Sequence, residues 1–128
     1  RMSAENLTVS AALGSAIAAD RRAALEELRE VEGRAAYAHA AVGMVNDEDG
    51  EVAWAALLLL HSLDSDSIAE HAAALIDRME SMDTSMRWRG VEVLGALDPS
   101  VLVLHAPRIV PWLEHRDEDV RRRAVELL

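Results

Sequence analysis

The sequence predicts an all-α protein, an α-solenoid of stacked antiparallel helical hairpins with a 34-residue period. Three observations predict it. The stretches Val52-Ala53-Trp54, Met86-Arg87-Trp88 and Val120-Arg121-Arg122 recur 34 residues apart, each after an acidic turn marked by Asp49, Asp83 or Asp117. Each opens an apolar series at helical spacing: Val52, Ala56, Leu60, Leu63; then Met86, Gly90, Leu94, Leu97; then Val120, Ala124, Leu128. Residues three or four apart lie on one face of an α-helix. The third observation is composition: Phe is absent, and Tyr37, Trp54, Trp88 and Trp112 are the only aromatic residues. A core of Ala and Leu suits closely approaching helices better than a sheet, which favours β-branched and aromatic side chains. A unit of this size cannot bury its apolar face alone, so a fixed period implies stacking.

The remaining composition narrows the function. At 128 residues the chain is of single-domain size. All 13 basic residues are arginine, which excludes Schiff-base chemistry through lysine. A net charge of -10 argues against duplex nucleic acid, which demands basic patches. Without cysteine there is no disulfide and no thiolate metal site. No apolar run approaches the ~20 residues that span a bilayer. The N-terminus lacks the pattern of a signal peptide. The expectation is therefore a soluble intracellular chain that is not secreted. Its opening, Arg1-Met2-Ser3-Ala4, resembles the cleaved end of some algal plastid proteins, which makes a plastid location an expectation as well.

Taken in order, a first helix is expected from about Thr8 to Ala19. A second runs from Arg21 to Glu32 after Asp20, burying Ala24, Leu25 and Leu28, and Gly33 ends it as a left-handed cap. Residues 1–33 thus read as a pair of N-terminal capping helices, as solenoid ends require. From residue 34 to 128 the repeats occupy about 34–64, 65–98 and 99–128. First helices are expected at Arg34–Val45, Ser67–Met82 and Ser100–His115, and second helices start near Glu51, Ser85 and Glu118. Asp64 and Asp98 stand at N-cap positions, and Pro99 suits a first helical turn. Pro107 and Pro111 fall inside a helix, so a bend or split is expected near His105-Ala106-Pro107. The array is expected to continue past Leu128 or to be covered there by a partner.

These residues resemble the HEAT repeat. Asp117-Glu118-Asp119-Val120-Arg121, followed by Ala124 and Leu128, is similar to its acidic turn and Val-Arg helix start. Asp83, Met86, Arg87, Gly90, Leu94 and Leu97 follow the same pattern, as do Asp47, Val52, Ala56, Leu60 and Leu63. Leu97-Asp98-Pro99 with His105-Ala106 and Leu113-Glu114 is most similar to the short-period HEAT arrays of unicellular algae. The resemblance covers residues 34–128 and implies a right-handed solenoid whose second helices line a concave, partner-binding side. It departs from the family in its short period and in Ala53, which stands where Val-Arg has arginine. Ser81 and His115 replace a further aspartate, which breaks any continuous Asp–Arg series along the stack. A 34-residue period also suits tetratricopeptide repeats, but their Gly-x-x-Tyr and Phe positions are missing.

On the second helices, inward-facing Val52, Met86 and Val120 would turn the following residues outward. Trp54, Trp88 and Arg122 would form one column, flanked by Ala53, Arg87 and Arg121 and by Ala55, Arg89 and Arg123. Tryptophan and arginine dominate binding hot spots, so this group could hold an acidic or extended protein segment. The competing reading packs both tryptophans between neighbouring helices and pairs the arginines with the acidic turns. Leu58 stands where the other copies carry Glu92 and Glu126, so it is expected to face outward, as part of an interface or of a repacked first unit.

No catalytic or metal-binding arrangement emerges. Tyr37, His71 and His105 share one repeat position, which favours a structural role. His39, His61 and His115 lack metal-site spacing, and His-Glu-x-x-His is absent. Asp47-Glu48-Asp49-Gly50-Glu51 fails as a calcium loop, because its first and last ligand positions would be Val45 and Ala56. It reads as an acidic helix start, favoured by the helix dipole. The expected function is a non-enzymatic scaffold or adaptor for protein partners, with neither cofactor nor metal. The alternative is a peripheral subunit of a larger assembly, with a plastid, photosynthetic one among the expectations. A third reading, on resemblance alone, is an enzyme like the phycobilin lyases, which also contain short HEAT-like repeats.

Overall fold

The computed structural model describes residues 11–80, 84–114 and 118–127, with side chains except at positions 84–86, 88, 113 and 119. Every regular element among them is helical. Helix α1 spans Ala18–Leu28, a 3₁₀ turn spans Arg34–Tyr37, and α2 spans Ala38–Met44. Then come α3 (Gly50–His61), α4 (Ser65–Glu80), α5 (Thr84–Leu94) and α6 (Pro99–Ile109). A second 3₁₀ turn, Val110–Glu114, leads into α7, Glu118–Leu127. The second-helix start at Gly50 falls within a residue of expectation, and the other two second helices are described from Thr84 and Glu118. The aspartates of the second and third acidic turns, Asp83 and Asp117, lie outside the described residues, as do Thr8, Ser81, Met82, His115 and Leu128.

Helices two elements apart touch. One row is formed by α1, α3, α5 and α7, each against the next, and another by α2, α4 and α6. Between the rows, α2 packs on α3, α4 on α5, and the second 3₁₀ turn on α7. The apolar side chains between the rows form one continuous core, running from Leu25 and Leu28 through Val45, Leu57, Ile76 and Met79 to Leu94, Val120 and Ala124. It includes the expected inward positions Val52, Ala56, Leu60 and Leu63, and on α3 also Ala55, Leu57 and Leu59. Helix α1 therefore stands at the end of the α3–α5–α7 row, where Ala24, Leu25 and Leu28 are buried as expected.

The N-terminal part departs from expectation at both boundaries. Between residues 11 and 17 helix is confined to 11–13, and α1 begins at Ala18, upstream of the expected Arg21 start. It ends at Leu28 rather than Glu32, because the chain turns there through bonds from Glu30 N–H to Glu27 and from Val31 N–H to Leu28. That turn brings Arg34 to the end of α3, where its guanidinium donates to Ser62 Oγ at 3.1 Å and to the Ser62 carbonyl at 2.9 Å. Arginine at a helix C-terminus satisfies orphan carbonyls and complements the dipole. Gly33 is no left-handed cap: its φ is -83°, inside ordinary backbone space.

The prolines also act differently from expectation. Helix α6 continues through Pro107 to Ile109, and the change to 3₁₀ geometry comes at Val110, beside Pro111. Pro107 is exposed, and its lost bond is tolerated there, whereas the α-helix gives way to the 3₁₀ turn beside Pro111, which has no N–H to continue it. At the joints, Asp64 Oδ1 accepts from Ser67 N–H at 2.8 Å as an N-cap should. Asp98 makes no side-chain cap bond and is held instead through its own N–H, which donates to Ser65 Oγ at 3.2 Å.

The first acidic turn is tied to α1. Arg21 donates to Asp47 Oδ2 at 3.1 Å through Nε and to Oδ1 at 3.0 Å through Nη2, and also to the Ser15 carbonyl. Asp49 caps α3 by accepting from Glu51 and Val52 N–H, and Arg22 pairs with Glu51. Desolvation in the turn pushes the Asp47 carboxyl up. The hydrogen bonds from Arg21 and from Asp49 N–H, with the Arg21 charge, outweigh it and hold Asp47 below the usual carboxylate range. A depressed folded-state value stabilises the fold above the unfolded pKa of about 3.9, and that stability is lost as pH falls through the folded value. Thermal melts from pH 7 to 2 should therefore show a steeper acid limb in the wild type than in Asp47→Asn. Parallel limbs would remove Asp47 from the acid response.

Candidate protein-interaction surface

Three of the residues singled out on the second helices, Trp54, Arg89 and Arg123, are linked by the structure into a series. Arg89 of α5 lies with its guanidinium carbon 4.5 Å from the centroid of the Trp54 ring on α3. This distance is within cation–π range. Arg89 Nη1 pairs with Glu92 Oε2 at 2.9 Å, and Glu92 Oε1 accepts from Arg123 Nη2 of α7 at 3.0 Å. Arg123 reaches on to Glu126 at 3.8 Å. Trp54, Arg89, Glu92, Arg123 and Glu126 thus form a polar series across three helices. Exposed ion pairs contribute on the order of 1 kcal/mol or less. These side chains are only 17% to 28% exposed apart from Glu126, so the Glu92 pairs stand at the stronger end of that range.

Other members of the expected group do different things. Arg87 turns back to the end of α4, donating from Nε to the Met79 carbonyl at 2.9 Å and from Nη2 to the Glu80 carbonyl at 3.4 Å. It therefore serves the C-terminus of a helix, as Arg34 does. Arg121 is half-buried and Arg122 is exposed. Trp88 lies on α5, but its side chain is outside the described residues, as is that of Met86. Ala53 and Ala55 are buried, so the outward face is narrower than expected. Leu58 is half-buried instead of facing out, because α3 is packed on α1, α2 and α5 and little of its circumference is left free. Trp54 is half-buried beneath Arg89, so expected surface residue and expected packing residue are the same side chain.

Sequence reasoning missed Glu92 as the joining residue. Its signal was present: Arg89-x-x-Glu92 recurs 34 residues later as Arg123-x-x-Glu126, and such pairs meet on a helix surface. It also missed the open groove at the end of the series, about 540 Å³ in volume, lined by His61, Glu92, Leu97, Leu102, Arg123 and Leu127. Here a cation and two flanking carboxylates border an apolar floor. Among the described residues no cluster of three or more His, Asp or Glu could hold a metal ion, and no helix is long and apolar enough to cross a membrane. No known protein family matches the chain, and no curated protein matches it either.

Proposed function

We propose that the chain is a HEAT-like, right-handed α-solenoid acting as a non-enzymatic protein-interaction scaffold, with the ridge of α3, α5 and α7 as its working surface. The observation that carries this reading is the coincidence of the 34-residue period with the two rows of helices. On that ridge, the polar series from Trp54 to Arg123 ends at the open groove. A partner segment with a carboxylate beside an apolar side chain would suit it. The carboxylate would replace Glu92 or Glu126 on Arg123, and the apolar group would settle on Leu97, Leu102 and Leu127. Tryptophan and arginine commonly anchor such interfaces.

The test is affinity capture from the source organism with the wild-type chain, Arg123→Glu and Trp54→Ala. Arg123→Glu places like charge beside Glu92 at the groove, so the specifically retained protein should be lost, while the circular dichroism stays helical. An unchanged set of retained proteins would overturn the reading. The alternative, a peripheral subunit of a larger assembly, is favoured by the exposed apolar side chains of α6, Val103 and Leu104. Co-purification of a large complex, plastid or otherwise, would distinguish it. Binding of a bilin, read by absorption, would instead support the lyase-like reading.

A further inference from the structure

The packing of α2 on α4 brings together two histidines that spacing leaves unrelated. His39 lies on α2 and His71 on α4, and their ring centroids stand 6.3 Å apart with the planes tilted by 50°. His39 is exposed and His71 half-buried, so the pair opens to solvent. It belongs to the row that does not carry the series from Arg89 to Arg123. One helical turn from His39 lie Ala35, Ala36 and Gly43, and one turn from His71 lie Ser67 and Ala74, so little bulk crowds either ring. The nearest arginines along these segments are engaged elsewhere, Arg34 at Ser62 and Arg78 at Asn46.

We propose that His39 and His71 together hold one divalent transition-metal ion of the copper and zinc class, which staples α2 to α4. Imidazole nitrogen suits these ions, whereas magnesium and calcium seek oxygen. With metal–nitrogen bonds of about 2.1 Å, two rings on one ion have centroids about 5 Å apart at a tetrahedral angle and about 6 Å apart at the widest. The observed separation stands at that outer limit. Rotation of the exposed His39 side chain closes the remaining ~1 Å, while the half-buried His71 stays in place. Water fills the other coordination positions. The net charge of -10 raises the concentration of cations at the surface. Two protein ligands hold an ion less tightly than the four of a structural zinc site, so the ion exchanges and the fold does not depend on it.

The experiment is isothermal titration of the full chain with zinc, copper(II) and magnesium chlorides, with His39→Gln, His71→Gln and the control His61→Gln beside the wild type. One zinc ion per chain should bind, copper should bind more tightly, and magnesium should not displace either. His39→Gln and His71→Gln should each weaken zinc binding by roughly tenfold or more, since even a lost outer-shell partner costs that much. His61→Gln should bind as the wild type does. Zinc should also raise the melting temperature of the wild type, because an ion held between two helices binds the folded state, and this rise should vanish in both pair variants. Both substitutions lie at the surface, so circular dichroism without metal should stay helical. A wild type that binds no zinc, or zinc binding that survives either pair substitution or yields to magnesium, overturns the proposal.

Discussion

Gly90→Val is expected to destabilise the fold by about 3 kcal/mol, at the upper end of the range for overpacking a filled core. A Cβ on Gly90 would meet the Met79 side chain at 2.9 Å, and Met79 is fully buried. Valine adds two further carbons there. At the equivalent positions the other units carry Ala56 and Ala124, each fully buried, so one methyl is tolerated when the opposing residue is smaller. Met79 stands where the first unit has Val45. The larger residue on α4 and the missing Cβ on α5 are thus complementary. A melt should show Gly90→Val lower by roughly 10 °C for a chain of this length. Gly90→Ala should cost less, because helix propensity favours alanine by about 1 kcal/mol. Combined with Met79→Val, it should recover part of its packing loss. Strict additivity of the two single changes in a double-mutant cycle would show that Met79 does not set the glycine.

Leu59→Ala is expected to cost about 3 kcal/mol, against about 1 kcal/mol or less for Leu58→Ala. The four leucines Leu57 to Leu60 cover every side of α3; periodicity assigns Leu57 and Leu60 to the core and turns Leu58 outward. Leu59 proves to be fully buried as well, while Leu58 is half-buried. Helix α3 is enclosed on three sides by α1, α2 and α5, so a single apolar stripe does not describe it. Urea denaturation of the two variants reads the difference directly. Equal midpoints would mean that α3 is not enclosed in this way.

These two cases mark how far the chain was legible. The inward series beginning at Val52 and Val120, the second-helix starts and the N-cap at Asp64 followed from spacing and local chemistry. Those depend on neighbours three or four residues away, which the sequence lists side by side. The ends of α1 and of α6 did not follow. They depend on where Arg34 finds the Ser62 carbonyl and on which of two prolines coincides with the end of the α-helix. The candidate surface divides in the same way. Arg89 with Glu92 and Arg123 with Glu126 were readable as neighbours on one helix. The bond from Glu92 to Arg123 and the cover of Arg89 over Trp54 join different helices, which spacing alone cannot pair.

By itself, the sequence determined that the chain is helical, that its helices recur every 34 residues, and that Val52 and Val120 open inward-facing series. Periodicity suffices for this because one face of a helix is set by the backbone's own geometry. The tertiary structure decided how Trp54, Arg87, Arg89 and Arg123 are used. One arginine caps a helix, one covers a tryptophan and one borders a groove, although all share a type and a short stretch of repeat. A long flexible cation takes whichever carbonyl, ring or carboxylate the neighbouring helix brings within reach. Only the packing of the rows determines which of these that is.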